Sequence, residues 1–464
     1  MPDQNLIEKQ PFLRDNDNSR TLKIRYVITF LCFVGSTLIY AARVNWSIAI
    51  LYMARQESDN TNSTDSEVNE GSSQIVYTFD WNMKTQQIIL GSFYCGYSVG
   101  PILGGWLVGR FGGFSMLMTG ILFTTFPMLV TQFAAHFGVG FVILTRIIDG
   151  FGQGIAYPAN LVLIRNWSKA DERNTLLAIA FSGCSVGPIL TSYISTWLCS
   201  SEFMGGWPST FYLYGTIGVV WCVVWCIVGS KTNMQSNLQD NYNYEVPWKL
   251  MTSPPVITLY FVHFVFDAGY ILLITDIPTF FNSILNFDLE LAGLLNMAPH
   301  LCVLCMTVIG GLLGDYLISH DKLSILGTRR LLNTFCFGLT AVFIIILGYV
   351  YNSDLSLTIM VFAFGIYGFK FAGVNANVLD IAPFHSGIII GMMISIGSIG
   401  GLVATTLLGV LTETNNTLRQ WRVEFWTQAA LQICALLAFF IFGSDKPQEW
   451  AKPPEESADI ERQH

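Results

Sequence analysis

Apolar residues run along this chain in blocks long enough to cross a lipid bilayer, separated by short polar breaks. A spanning helix needs about 20 predominantly apolar residues, because each adds about 1.5 Å and the hydrocarbon layer is about 30 Å thick. Twelve such blocks are readable, at 26–52, 86–108, 114–134, 138–164, 175–198, 210–229, 256–281, 291–317, 331–351, 355–379, 387–411 and 423–443. The third and fourth are separated only by 135–137. The pattern predicts an all-α membrane protein with twelve transmembrane helices.

Composition agrees. The chain is 52% hydrophobic and 12% charged, against about 25% charged in soluble domains. The net charge of −8 lies mostly in loops and tails and offers no basic face for nucleic acid. Most of the ten cysteines fall inside apolar blocks and read as small packing residues, including Cys302 and Cys305 with their redox-like spacing. Residues 1–23 are polar, so no cleavable leader is visible and the first block directs insertion.

The blocks repeat. Gly104-Gly-Trp-Leu-Val-Gly-Arg-Phe-Gly-Gly113 closes the second block, and Gly310-Gly-Leu-Leu-Gly-Asp-Tyr-Leu317 closes the eighth. Pro158-Ala-Asn-Leu161 in block four is echoed by Asn375-Ala-Asn-Val378 in block ten. Two six-helix halves joined by a polar linker form a transporter plan. The expected division is a tail at 1–23, a first half at 24–229, a linker at 230–253, a second half at 254–444 and a tail at 445–464. If both termini are cytosolic, the cytosolic side holds seventeen Lys and Arg and the other side holds four, namely Arg55, Lys84, Arg419 and Arg422. The sequons at Asn62 and Asn415 then fall on the non-cytosolic side as glycosylation candidates.

Asp276 and Glu424 lie close enough to block ends to reach the interface, while five charged residues sit well inside apolar blocks: Arg43, Arg146, Asp149, Asp267 and Lys370. Each costs at least about 2.5–3.5 kcal/mol near the bilayer centre, so each is expected to face a cavity or a partner. They occupy blocks one, four, four, seven and ten, every third helix. At about 100° per residue, Arg146, Asp149, Gln153, Tyr157 and Asn160 share an arc of about 80° on block four. Tyr260, His263, Asp267 and Tyr270 align on block seven, Tyr367, Lys370 and Asn377 on block ten, and Ser36, Tyr40, Arg43 and Ser47 on block one. Four polar stripes predict four walls of one wet cavity between the halves. Helix-to-helix pairing is the competing reading: Arg146 with Asp149, and Asp267 with Lys370. Arg43 has no carboxylate on its helix face. Three cations against two carboxylates leave a surplus positive charge, which favours an anion, and Arg offers a planar fork for carboxylate or phosphate.

Four stretches carry a family resemblance: Ala42-Arg-Val-Asn-Trp-Ser-Ile-Ala-Ile50, Leu90-Gly-Ser-Phe-Tyr-Cys-Gly-Tyr97, Gly104-Gly-Trp106 and Asn377-Val-Leu-Asp-Ile-Ala-Pro383. From about Arg25 to Trp450 the chain resembles the anion transporter family of the major facilitator superfamily, the group of sialin, the vesicular glutamate and nucleotide transporters and the type I sodium–phosphate cotransporters. The resemblance implies the major facilitator fold, with helices one, four, seven and ten around a central cavity. It also implies that Arg43 matches a substrate-binding arginine, and Arg146 and Asp149 a charged pair on helix four. Gln153 stands where proton-coupled vesicular members have Glu, and Gln takes up no proton. At that position the likeness is to the sodium–phosphate and organic-anion branch. Leu161 and Val378 replace family histidines. Phe266 replaces the arginine of vesicular glutamate transporters, so glutamate transport is not expected. Lys370 lies outside the family pattern.

The expected function is alternating-access transport of a small organic or inorganic anion, driven by sodium, protons or voltage, with the sodium–phosphate or organic-anion type favoured. Arg43 is expected to hold the anion and Lys370 its far end, with Tyr157, Tyr260 and Tyr367 shaping the site. Arg146, Asp149, Gln153 and Asp267 form the expected charge network, Asp149 being the coupling candidate. Gly109, Arg110, Gly113 and Asp315 are expected to gate the cytosolic face. A sialin-like proton-coupled carrier of acidic sugars or amino acids is the alternative, and a membrane anion sensor the alternative of another class. Single buried charges rather than charged rings argue against a channel. The six scattered histidines and the lack of a nucleophile motif argue against an enzyme. No cofactor or metal is expected. The expected partners are the anion, a coupling ion and membrane lipid, for a monomer in the plasma membrane or a lysosomal or vesicular membrane.

Overall fold

The computed structural model describes residues 18–54, 79–169, 171–201, 203–232, 246–273, 280, 292–412 and 417–451. Within the described residues each predicted block forms a helix. The first half holds α1 (Asn18–Met53), then the long run Met83–Phe137, which a bend at Gly112 divides into α2 (83–111) and α3 (113–137). It continues with α4 (Val139–Trp167), α5 (Arg173–Ser200) and α6 (Trp207–Thr232). The second half holds α7 (Pro254–Ile271), α8 (Ala292–Ser319), α9 (Ile325–Leu347), α10 (Ser353–Ile381), α11 (Ser386–Thr412) and α12 (Leu418–Phe442). The bend at Gly112 has φ 79°, a conformation that glycine adopts without steric cost. Gly138, at φ 124°, makes the break between α3 and α4 one residue beyond the expected 135–137.

Packing repeats between the halves. α1 lies on α5 as α7 lies on α11, and α2 lies on α4 as α8 lies on α10. Twelve passes return the chain to the face where α1 starts, called here the terminal face. Two seams join the halves from mid-depth to that face. In the first, α2 meets α11: Ser395 Oγ donates to the Ser98 carbonyl at 2.7 Å, and Gly391 lies against Pro101 so closely that a Cβ would stand 2.1 Å from its carbonyl oxygen. Small residues allow helix backbones this close approach in a membrane. In the second, α5 meets α8 through Ala178 and Asn174 against Gly311.

Residues 444–451, from the end of the expected second half into the expected tail, fold back on the second half. Asn377 Nδ2 donates to the Ser444 carbonyl at 2.8 Å, the Gln448 amide donates to the Ile381 carbonyl at 2.9 Å, and Asp445 accepts from the Leu326 amide at 3.2 Å. Asn62, Asn415 and most of the linker lie outside the described residues.

Candidate functional site

Regular turns of α4 stack its polar residues into one ladder. Asp149 is fully buried, and both its oxygens are used: Arg146 Nη1 donates to Oδ2 at 3.0 Å and Gln153 Nε2 to Oδ1 at 2.9 Å. Gln153 turns its carbonyl to α1, where Arg43 Nε donates to it at 3.1 Å. One tier along, Asn160 donates to Ser36 Oγ at 2.8 Å. Burying an ion pair is costly unless the remaining valences are also filled, and this ladder fills those of the carboxylate.

Arg43 is held differently. Its guanidinium carbon lies 4.5, 4.7 and 4.8 Å from the ring centroids of Tyr97, Tyr40 and Phe93. Phe93 also touches Arg146, at 4.8 Å, and so separates the two guanidinium groups. Ring faces stabilise a delocalised cation without neutralising it. Among the described residues, no carboxylate comes within 4.0 Å of Arg43. Arg43, Tyr40, Tyr97, Gln153, Tyr157 and Cys184 face one narrow cavity with about 10 Å3 of usable space, so in this conformation it is closed down to about the size of a water molecule.

The charges of the second half form a looser group. Lys370 Nζ lies 3.5 Å from His263 Nε2 and 3.6 Å from the Phe266 ring centroid. His263 Nε2 in turn lies 4.0 Å from Asp267 Oδ2. The expected Lys370–Asp267 pair is therefore mediated by His263, which spans the two.

The cavity beside Arg43 is lined by residues of α1, α2, α4 and α5. Phe371 of α10 stacks on Phe181 at 5.2 Å and closes the far wall. α10 is not a regular helix there: a 3-10 turn, Ile366–Lys370, runs into a π turn, Phe371–Asn375. The changed phase makes Asn375 the residue that reaches Tyr157, donating at 3.1 Å, while Asn377 points to the Ser444 carbonyl. Tyr260 donates to Met392 Sδ at 3.3 Å, and Tyr367 accepts from Gln432 at 2.6 Å; both lie outside the cavity lining.

Only one member of the expected gate crosses between the halves. Asp315 accepts from the amides of Asn174 at 3.1 Å and Thr175 at 2.6 Å, and from Asn174 Nδ2 at 2.8 Å, so it caps the start of α5. Gly109 occupies the matching place in the first half and has no acceptor to offer. Arg110 is exposed beside Trp106 and Phe111, and Gly113 packs on α4. Sequence reading missed Arg329, which bonds Asp380 at 2.8 Å and the Asn174 side-chain carbonyl at 2.8 Å. It stands at the start of α9 and reads as a loop charge, yet it is 3% exposed.

Among the described residues, no group of three or more His, Cys, Asp or Glu is placed to hold a metal ion. The sequence profile of the Major Facilitator Superfamily matches residues 26–405 and 321–463. Human sialin is 30% identical over 456 residues, covering 92% of this chain and 90% of that protein. Human vesicular glutamate transporter 2 is 28% identical, covering 93% of this chain and 76% of that protein. Among solved structures, a double-tryptophan mutant of XylE superposes with a TM-score of 0.71 at 15% identity, over 94% of this chain and 98% of that one. A bacterial homologue of ferroportin in an outward-facing state superposes at 0.63 with 12% identity, over 89% and 99%.

Proposed function

The chain belongs to the Major Facilitator Superfamily and, within it, to the group of sialin and the vesicular glutamate transporters, and on that premise we propose that this multi-pass membrane transporter carries a small anion on Arg43 by alternating access. The observation that carries the reading is the state of Arg43: a half-buried cation, oriented by Gln153 and three rings, with no carboxylate within 4.0 Å among the described residues. A bound carboxylate or phosphate supplies the missing charge and engages the guanidinium fork in two parallel hydrogen bonds. Tyr157 and the Tyr97 ring lie beside it and shape the anion's surroundings.

The seams at the terminal face hold the cavity shut on that side. Rocking the halves apart along α2–α11 and α5–α8, with release of Asp315, opens it there. Both termini lie in the cytosol, because that orientation puts most of the Lys and Arg inside. The membrane is a vesicular, lysosomal or plasma membrane. Gln153 in place of a carboxylate supports an organic-anion type in which helix α4 carries no coupling proton at that position. A voltage of about 100 mV alone supplies about 2.3 kcal/mol per net charge moved.

The test is counterflow in proteoliposomes with phosphate, urate, acidic sugars and acidic amino acids, each under sodium, proton and voltage gradients. Saturable exchange of at least one anion is expected. Binding without exchange would make the protein a sensor, and exchange confined to neutral solutes would refute the anion reading.

A further inference from the structure

The first half has both oxygens of its buried carboxylate occupied within one ladder. The second half has a histidine between a cation and a carboxylate, with neither contact fully made. His263 is 2% exposed, and its Nδ1 has no hydrogen-bond partner. Its Nε2 faces Lys370 at 3.5 Å and Asp267 at 4.0 Å. One ring nitrogen cannot serve both neighbours in the same protonation state. Toward an ammonium it must present its lone pair, and toward a carboxylate it must present N–H. Packing holds the three together. Gly397 of α11 lies so close that a Cβ there would stand 2.2 Å from Asp267 Oδ2 and 2.8 Å from His263 Cδ2.

Resting on the anion-carrier reading above, we infer that His263 is the proton-coupling site of this transporter, a switch that trades Lys370 for Asp267 when it takes up a proton. With His263 neutral, its Nε2 lone pair accepts from the Lys370 ammonium, and Lys370 is held over Phe266. A proton from water enters by way of Asp267, whose side chain is 23% exposed, and binds at Nε2. The imidazolium then donates to Asp267 Oδ2 and repels Lys370, freeing the ammonium toward the cavity. The site has gained one positive charge, which a monovalent anion balances, so one proton and one anion cross as a neutral pair. On the other side Lys370 returns to Nε2 and the proton leaves by Asp267.

The groups that bear on this switch are few. α7 contributes Asp267 and the Tyr260 and Tyr270 phenols, α10 contributes Lys370 and the Tyr367 phenol, and Arg43 and Tyr97 act from the first half. Cys336 of α9 lies near Lys370. α11 carries no ionisable side chain between Ser386 and Thr412, and α12 meets α7 and α10 with the amides of Gln428 and Gln432. The switch also accounts for Gln153: with the titrating group in the second half, helix α4 does not need a second carboxylate.

The experiment measures protons moved per anion, using proteoliposomes that hold a pH-sensitive dye and the anion that gave the strongest counterflow. The ratio does not depend on how much protein folds. Wild type is expected to move about one proton per monovalent anion. His263→Gln, and separately Asp267→Asn, should lower that ratio at least tenfold and flatten the pH profile of net uptake. Anion flux in wild type without proton movement would overturn the inference, as would an unchanged ratio in His263→Gln. Absence of any anion counterflow in wild type would refute the carrier reading itself, a separate failure.

Discussion

The two halves solve one problem, a charge inside a membrane, in opposite ways. In the first half Arg146, Asp149, Gln153 and Arg43 form a chain of hydrogen bonds of 2.9–3.1 Å, in which the carboxylate is saturated and only Arg43 keeps unused charge. In the second half Lys370, on an α10 whose helical period is broken, stands 3.5 Å from His263 of α7, which in turn stands 4.0 Å from Asp267. A saturated ladder fixes charge in place. A loose triad lets it change hands. On the proposed reading, the pseudo-symmetric halves divide the labour: one supplies a permanent anion receptor and the other an adjustable charge.

The strongest way to break the comparison is to remove the receptor. Arg43→Ala should lower anion uptake at least about thirtyfold at equal protein in the membrane, since a charged hydrogen-bonding partner in a desolvated site contributes about 2–5 kcal/mol. Arg43→Lys should recover little of this, because an ammonium lacks the planar fork. Uptake within about twofold of wild type in Arg43→Ala would remove it from the site.

Stability sharpens the same contrast. Asp149→Asn strands a buried Arg146 and should cost about 3–5 kcal/mol, while Asp267→Asn breaks only a 4.0 Å contact and should cost about 1 kcal/mol. Thermal unfolding of the purified variants, compared under one set of conditions, decides this. Equal losses would show that the second half is as tightly wired as the first.

Asp315→Ala removes the acceptor of three hydrogen bonds across the halves, about 1–3 kcal/mol. Opening at the terminal face should increase about tenfold. In a variant whose only cysteine is Cys184, labelling by an impermeant thiol reagent applied to that face reads the change directly. The smallest effect is expected at Tyr260→Phe, whose hydroxyl meets only the weak acceptor Met392 Sδ. Uptake should stay within about twofold of wild type, and a larger loss would return Tyr260 to the site.

How much was legible follows the regularity of the backbone. Helix number and the α4 stripe were readable because unbroken 3.6-residue periodicity places Arg146, Asp149 and Gln153 on one face, and their ladder follows. On α10 the same arithmetic chose Asn377 over Asn375, because π turns leave no mark in hydropathy. Asp315 was visible as a motif, but its partners Asn174 and Thr175 lie 141 and 140 residues away. The role of His263 was hidden because alignment with Asp267 along α7 does not reveal a lysine arriving from another helix. Gly109 against Asp315 was visible in the aligned repeats, and its consequence, a latch on one seam only, required the packing.

The central claim is that Arg43 is a receptor awaiting an anion. Calorimetric titration of the purified protein with the anion found by counterflow tests it most directly. Wild type should bind with 1:1 stoichiometry, and Arg43→Ala, with an unfolding temperature close to that of wild type, should show no saturable heat. Equal affinity in both proteins would contradict the account.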